Sequence, residues 1–191
     1  MLEDIALMRV LPNMIVLAPC DSQEAEKATL AIANDKRPAY MRLAREATPI
    51  FTTKETPFEI GKAYVLQPGE DVTLIATGTM TYQALKAAEK LFKDGISAEV
   101  IHVPTIKPID EATIIKSIRK TGAVVTAEEA QVIGGLGSAV AEIIAEQQPA
   151  KLARIGIKDR FGESGEPNEL LEYFGLDAKH IRLAAHHVLD K

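Results

Sequence analysis

The sequence predicts an α/β protein in which a mostly parallel sheet, with helices on both faces, fills residues 58–191. An incomplete α/β segment over residues 1–46 precedes it, joined by a linker over residues 47–57. Three observations carry this reading. From Val72 onward, short apolar runs alternate with stretches of helical periodicity. The apolar runs are continuous rather than alternating, as expected of strands covered on both faces. Between Glu46 and Phe58 periodicity disappears, interrupted by Thr48-Pro49, Thr52-Thr53-Lys54 and Thr56-Pro57.

In chain order, Met14 to Ala18 reads as a first covered strand. A helix begins after Asp21, whose carboxylate can accept from the amide three residues on while Glu24 reaches back. Ala25, Ala28, Ala31 and Ile32 recur at helical spacing, and Tyr40 to Leu43 forms the next strand. Past the linker, strands are expected at Val72–Ala76, Ala98–Val103, Ala123–Ala127 and Leu152–Ile157. Helices are expected at Met80–Lys93, Asp110–Lys120 and Ser138–Gln147. The stripe Met80, Ala84, Ala87, Ala88 and Leu91 gives the first of these its buried face. Two terminal helices follow, Pro167–Phe174 and Asp177–Leu189, separated by Gly175.

Composition narrows the function classes. A net charge of −5 and a pI near 5.5 oppose attraction to nucleic acid or to anionic lipid. No apolar run approaches the roughly 20 residues of a membrane span, and the start has no signal-peptide pattern, so cytoplasmic residence is the expectation. Cys20 is the single cysteine, which removes an internal disulfide and reads as a small buried hydrophobe.

Several residues invite chemistry. Gly134-Gly135-Leu136-Gly137-Ser138 lies between a strand and a helix, where free amides can cradle a phosphate. It follows the third strand of the regular region rather than the first, so turn duty is preferred over a dinucleotide fingerprint. Thr77-Gly78-Thr79 is read the same way. Glu128-Glu129 sits at a strand's carboxyl end, but sequence neighbours on extended chain point apart, which favours a structural role over acid–base work. His102, His180, His186 and His187 share no metal-ligand spacing on one helix face and read as solvated or packing residues. Arg42 and Arg45 lie where the first segment meets the linker. Their guanidinium groups suit bidentate binding of a phosphate, with surface ion pairing as the alternative.

Four stretches in order resemble the transketolase family: Glu3 to Met14, Pro19 to Glu24, Arg42-Leu43-Ala44-Arg45, and Glu128-Glu129 leading into Gly134 to Ser138. Phe161 to Gly165, Leu170-Leu171 and Phe174 to Leu176 agree. Together they look like the later part of the pyrimidine-binding domain followed by the whole carboxyl-terminal domain, as in transketolases encoded in two sections. The resemblance implies two-carbon ketol transfer between sugar phosphates, with thiamine diphosphate and a divalent metal as cofactors. It implies as partners a transketolase N-terminal section and a second copy of this chain. Arg45 matches the family's substrate-phosphate arginine, and Arg42 is its neighbour of interest.

The family's cofactor-activating glutamate, its aromatic residues and a substrate-contacting histidine precede the part matched here, and its Gly-Asp-Gly metal run has no counterpart. The expectation is therefore a truncated or partial product that binds no cofactor and catalyses nothing alone. A deoxyxylulose-phosphate synthase or a 2-oxo-acid dehydrogenase β subunit would share this architecture. A non-enzymatic interaction or nucleotide-binding module centred on Gly134 to Ser138 is the reading from another class.

Overall fold

The computed structural model describes residues 1–190. Its chain order is α1 (Asp4–Val10), β1 (Ile15–Leu17), α2 (Ser22–Asn34), β2 (Ala39–Met41), β3 (Tyr64–Gln67), β4 (Val72–Ala76), α3 (Met80–Lys93), β5 (Ala98–His102) and β6 (Thr105–Lys107). It continues through α4 (Glu111–Thr121), β7 (Ala123–Gln131), α5 (Leu136–Glu146), β8 (Lys151–Ile157), α6 (Pro167–Phe174) and α7 (Ala178–Val188).

Five strands form the larger sheet in the order β3-β5-β4-β7-β8. β5, β4, β7 and β8 run parallel, and only β3 at the edge is antiparallel. Every residue of β4 and β5 is buried, because each strand carries apolar side chains to both faces. On one face Leu74, Val100 and Val125 pack with the small-residue stripe of α3 and with Ile181 and Ala185 of α7. On the other, Ile75, Ile101 and Val124 meet Ile114 and Ile118 of α4 and Val140 of α5. The two-faced arrangement is the predicted one.

Three elements escaped prediction for a common reason. α1 spans seven residues, β3 four and β6 three, all too short to show a period. The consequence is largest for β6, which leaves the larger sheet and pairs antiparallel with β1, giving a second sheet ordered β2-β1-β6. Ile5 of α1, Val16 and Ala18 thus share one core with Ile106 and Ala130. Backbone bonds reinforce the junction, from Ala18 N to Pro104 O at 2.9 Å and from Gly78 N to Ala18 O at 3.0 Å.

Residues 47–57 contain neither helix nor strand, yet Asp21 holds them down. One Asp21 oxygen caps α2 through Glu24 N at 3.0 Å and accepts from Thr52 Oγ1 at 2.7 Å. The other accepts from the amides of Phe51 at 3.0 Å and Thr52 at 2.7 Å. Burial alone would raise the Asp21 pKa, but these four donors outweigh it and hold the carboxyl below its ordinary value. A depressed folded-state pKa means stability that is complete above the unfolded value and fades as pH falls through the folded one. Asp21→Asn is expected to lower stability by about 1–2 kcal/mol at neutral pH, with the deficit shrinking below about pH 4. Urea titrations of both proteins across the acid range provide the measurement.

Candidate functional site

The strand order of the larger sheet reverses direction after β4: β5 follows on one side and β7 on the other. Ligands of open α/β sheets favour the carboxyl ends of the strands at such a switch point. Here that edge carries Thr77-Gly78-Thr79 after β4 and Glu129 on β7. The loop after β2 faces it, and between them lies a cleft of about 370 Å³ lined by Asp4, Pro19, Tyr40, Arg42, Arg45 and Glu129 among others. Both candidate arginines thus reach the one cleft.

Their situations differ. Arg42 Nη1 donates to Asp4 Oδ1 at 2.8 Å, and its other nitrogen stands 3.8 Å from Glu129 Oε1. Asp4 is almost fully buried, so this pair neutralises a charge that water cannot reach. Tyr40 completes the cluster by donating to Asp4 Oδ2 at 2.7 Å. Burial, then the Asp4 hydrogen bond and charge, push the Tyr40 phenol up to about 12, so it stays a donor at any working pH. Glu129 is held from its other side by Thr79 Oγ1 at 2.7 Å. Arg42 therefore braces the cleft wall, joining α1, β2 and β7. Arg45 is exposed at the rim, and among the described residues it meets no carboxylate. An uncompensated guanidinium at the mouth of a cleft is chemically suited to an anion.

Asp4 and Tyr40 carry no site signal in the sequence, and Thr79 is legible there only as part of the Thr77-Gly78-Thr79 turn. Asp4 gains one, as a carboxylate on the apolar face of an amphipathic turn, only once α1 is recognised as a helix.

The glycine loop behaves otherwise. Glu128, with no exposed surface, turns its carboxylate into the amino end of α5 and accepts from Leu136 N and Gly137 N at 2.8 Å each. The helix therefore begins at Leu136 rather than Ser138, capped from the neighbouring strand instead of by its own Gly135. A side chain at Gly135 would stand 2.0 Å from Glu128 Oε2. The amides that a phosphate would need are already taken by an internal carboxylate, which removes the basis of the nucleotide-binding reading. Burial raises Glu128 to about 7, against the opposing pull of the two amides and of Arg154 and Arg9. Glu128 and Glu129 do point apart, one structural and one facing the cleft.

Away from the cleft, His102 is buried, whereas His180 and His186 pair at the surface with Asp177 and Asp94. Cys20 is also buried, but polar contacts surround it.

The profile of the "Transketolase, C-terminal domain" family matches residues 61–181. A 6-deoxy-6-sulfo-D-fructose transketolase subunit of Clostridium sp. (strain MSTE9) is 47% identical over 190 residues, covering 100% of this chain and 59% of that protein. A protein described as a transketolase C-terminal section, from Methanocaldococcus jannaschii, is 50% identical over 184 residues, covering 95% of this chain and 57% of its own. Among solved structures, a split-gene transketolase, described as an inactive beta4 tetramer, superposes with a TM-score of 0.96 at 46% identity, over 99% of this chain and 62% of that one. The chain thus spans about three fifths of the length of each of these relatives.

Proposed function

Because the chain belongs to the transketolase C-terminal domain family, we propose that it forms the carboxyl-terminal part of a thiamine-diphosphate-dependent transketolase, with Arg45 binding the anionic end of a sugar-phosphate substrate. The supporting observation is the contrast between the two arginines: Arg42 is committed to Asp4, while among the described residues Arg45 meets no carboxylate at the cleft rim. A phosphate docking there would find a planar fork of donors whose charge nothing in the cleft has yet offset.

The residues present do not fit the cofactor's diphosphate and its metal. The one glycine-rich helix start is filled by Glu128, and the cleft's two carboxylates are engaged by Arg42, Tyr40 and Thr79. Cofactor binding, proton transfer to and from it, and the ketol-transfer steps accordingly belong to other parts of the assembly. In this proposal the chain supplies subunit contacts, to a transketolase N-terminal section and to a second copy of itself, together with the substrate-facing arginine. Work in the cytoplasm is part of the same proposal; no described helix is long and apolar enough to cross a membrane.

Titration calorimetry tests the division of labour. The chain alone, given thiamine diphosphate and Mg²⁺, is expected to give no binding heat. A transketolase assembled from an N-terminal section and a subunit carrying these residues is expected to bind both and to transfer ketol units. Tight, metal-dependent cofactor binding by the isolated chain would overturn the proposal.

A further inference from the structure

Where the first turn of α2 meets the carboxyl end of β5, three side chains of different donor chemistry converge. Cys20 Sγ, a Glu24 carboxylate oxygen and a His102 ring nitrogen all lie within 4.8 Å of one another. Their residues are 2%, 2% and 1% exposed, so the cluster is closed to bulk water. Glu24 Oε2 accepts from Cys20 N and pairs with His102 Nε2, both at 2.7 Å, and the thiol sulfur lies within 4.8 Å of a ligand atom on each of the other two side chains. The far side of the imidazole is fixed too: His102 Nδ1 lies 2.7 Å from Thr81 Oγ1.

We propose that Cys20, Glu24 and His102 form a binding site for a single zinc-class divalent cation that fastens α2 to β5. Sulfur, imidazole nitrogen and carboxylate oxygen form a donor set that selects zinc over magnesium or calcium, which prefer oxygen alone. The charges balance, since a thiolate and a carboxylate offset the two positive charges of the ion. Metal–ligand lengths of about 2.0–2.3 Å set tetrahedral ligand atoms roughly 3.5 Å apart. The Glu24–His102 contact, 2.7 Å without the ion, must therefore open by about 0.8 Å.

The proton balance is simple. The ion replaces the thiol proton, which leaves to solvent, so one proton is released per ion bound. The imidazole proton moves from Nε2, which becomes the ligand, to Nδ1. Thr81 serves both states because a hydroxyl either donates or accepts, and after binding it accepts from Nδ1 and orients the ring. The ion would tie Cys20, which precedes the cap of α2, and Glu24, in its first turn, to His102, which ends β5 and lies 78 positions beyond Glu24.

The test uses the full chain, stripped with EDTA and then given Zn²⁺ or Co²⁺. Zinc is expected to bind one per chain and to raise the thermal midpoint. Cobalt is expected to show the thiolate-to-metal charge-transfer absorption that only sulfur ligation produces. Cys20→Ser is expected to abolish that absorption, and Thr81→Val to keep the stoichiometry while weakening affinity about 10–100-fold. If the cobalt complex of the unaltered chain lacks the thiolate band, the site is elsewhere, as at the exposed histidines, and the proposal fails. It fails equally if zinc leaves the midpoint unchanged, which would make the cluster a hydrogen-bonded trio only. Both of these readings come from the unaltered chain, so poor folding of a variant leaves them intact.

Discussion

Glu128→Ala is expected to destabilise the chain by roughly 3–5 kcal/mol, seen as a large fall in the denaturant midpoint. The carboxylate is completely buried and is the partner of the first free amides of α5. Deleting it strands two donors out of reach of water, at about 1–3 kcal/mol each, and opens a void beside Gly156 and Gly135. Glu128→Gln separates these effects. It preserves volume and one acceptor but turns an amide nitrogen toward the other donor, for an expected loss of about 1–3 kcal/mol. A pH signature accompanies the difference. Burial lifts the folded-state pKa to about 7, above the ordinary value of 4.5, so the neutral acid is the better tolerated form. The group's stability contribution is then complete below about pH 4.5 and is lost as pH rises through about 7. Glu128→Gln should flatten that slope. Equal midpoints for the three proteins would show that the α5 start needs no internal acceptor.

Arg45→Ala is expected to lower kcat/KM for phosphorylated substrates by about 10–100-fold in the assembled transketolase, with most of the loss in KM. A charge-assisted, bidentate contact to a phosphate is worth about 1.5–3 kcal/mol, and among the described residues Arg45 has no carboxylate partner to give up when it makes one. Arg45→Lys should recover only part, because an ammonium offers a point charge without the planar fork. Arg42→Ala should behave differently. It leaves Asp4 buried without its cation, so the expected outcome is lost stability and weakened packing of α1, with a smaller effect on KM. If instead Arg42→Ala raised KM and Arg45→Ala did not, the assignment of the two arginines would be reversed.

Much of this was legible in the residues. The larger sheet is written in continuous apolar runs, and the Met80-to-Leu91 stripe places α3 with its bounds intact, because burial on one face demands that spacing. Asp21, Asp110 and Asp177 announce their helices by capping chemistry that depends only on neighbours three positions away. Ordered motifs likewise sufficed for the family resemblance, and Arg45 came with it.

Other features have no local signature. β6 is three residues whose strand character comes from pairing with β1, some 90 positions earlier. Asp4, Tyr40 and Arg42 become one cluster only when α1 folds against β2, and Cys20, Glu24 and His102 meet only when β5 arrives beside α2. Sequence by itself determined the layered α/β class, the main helices with their caps, and the family, since each rests on periodicity or on motifs contiguous along the chain. The tertiary structure alone decided which arginine is free, that Glu128 fills the glycine loop, and that three distant donors share a buried point. Charge compensation and desolvation depend on distances through space, and those are set by the packing of elements far apart in the chain.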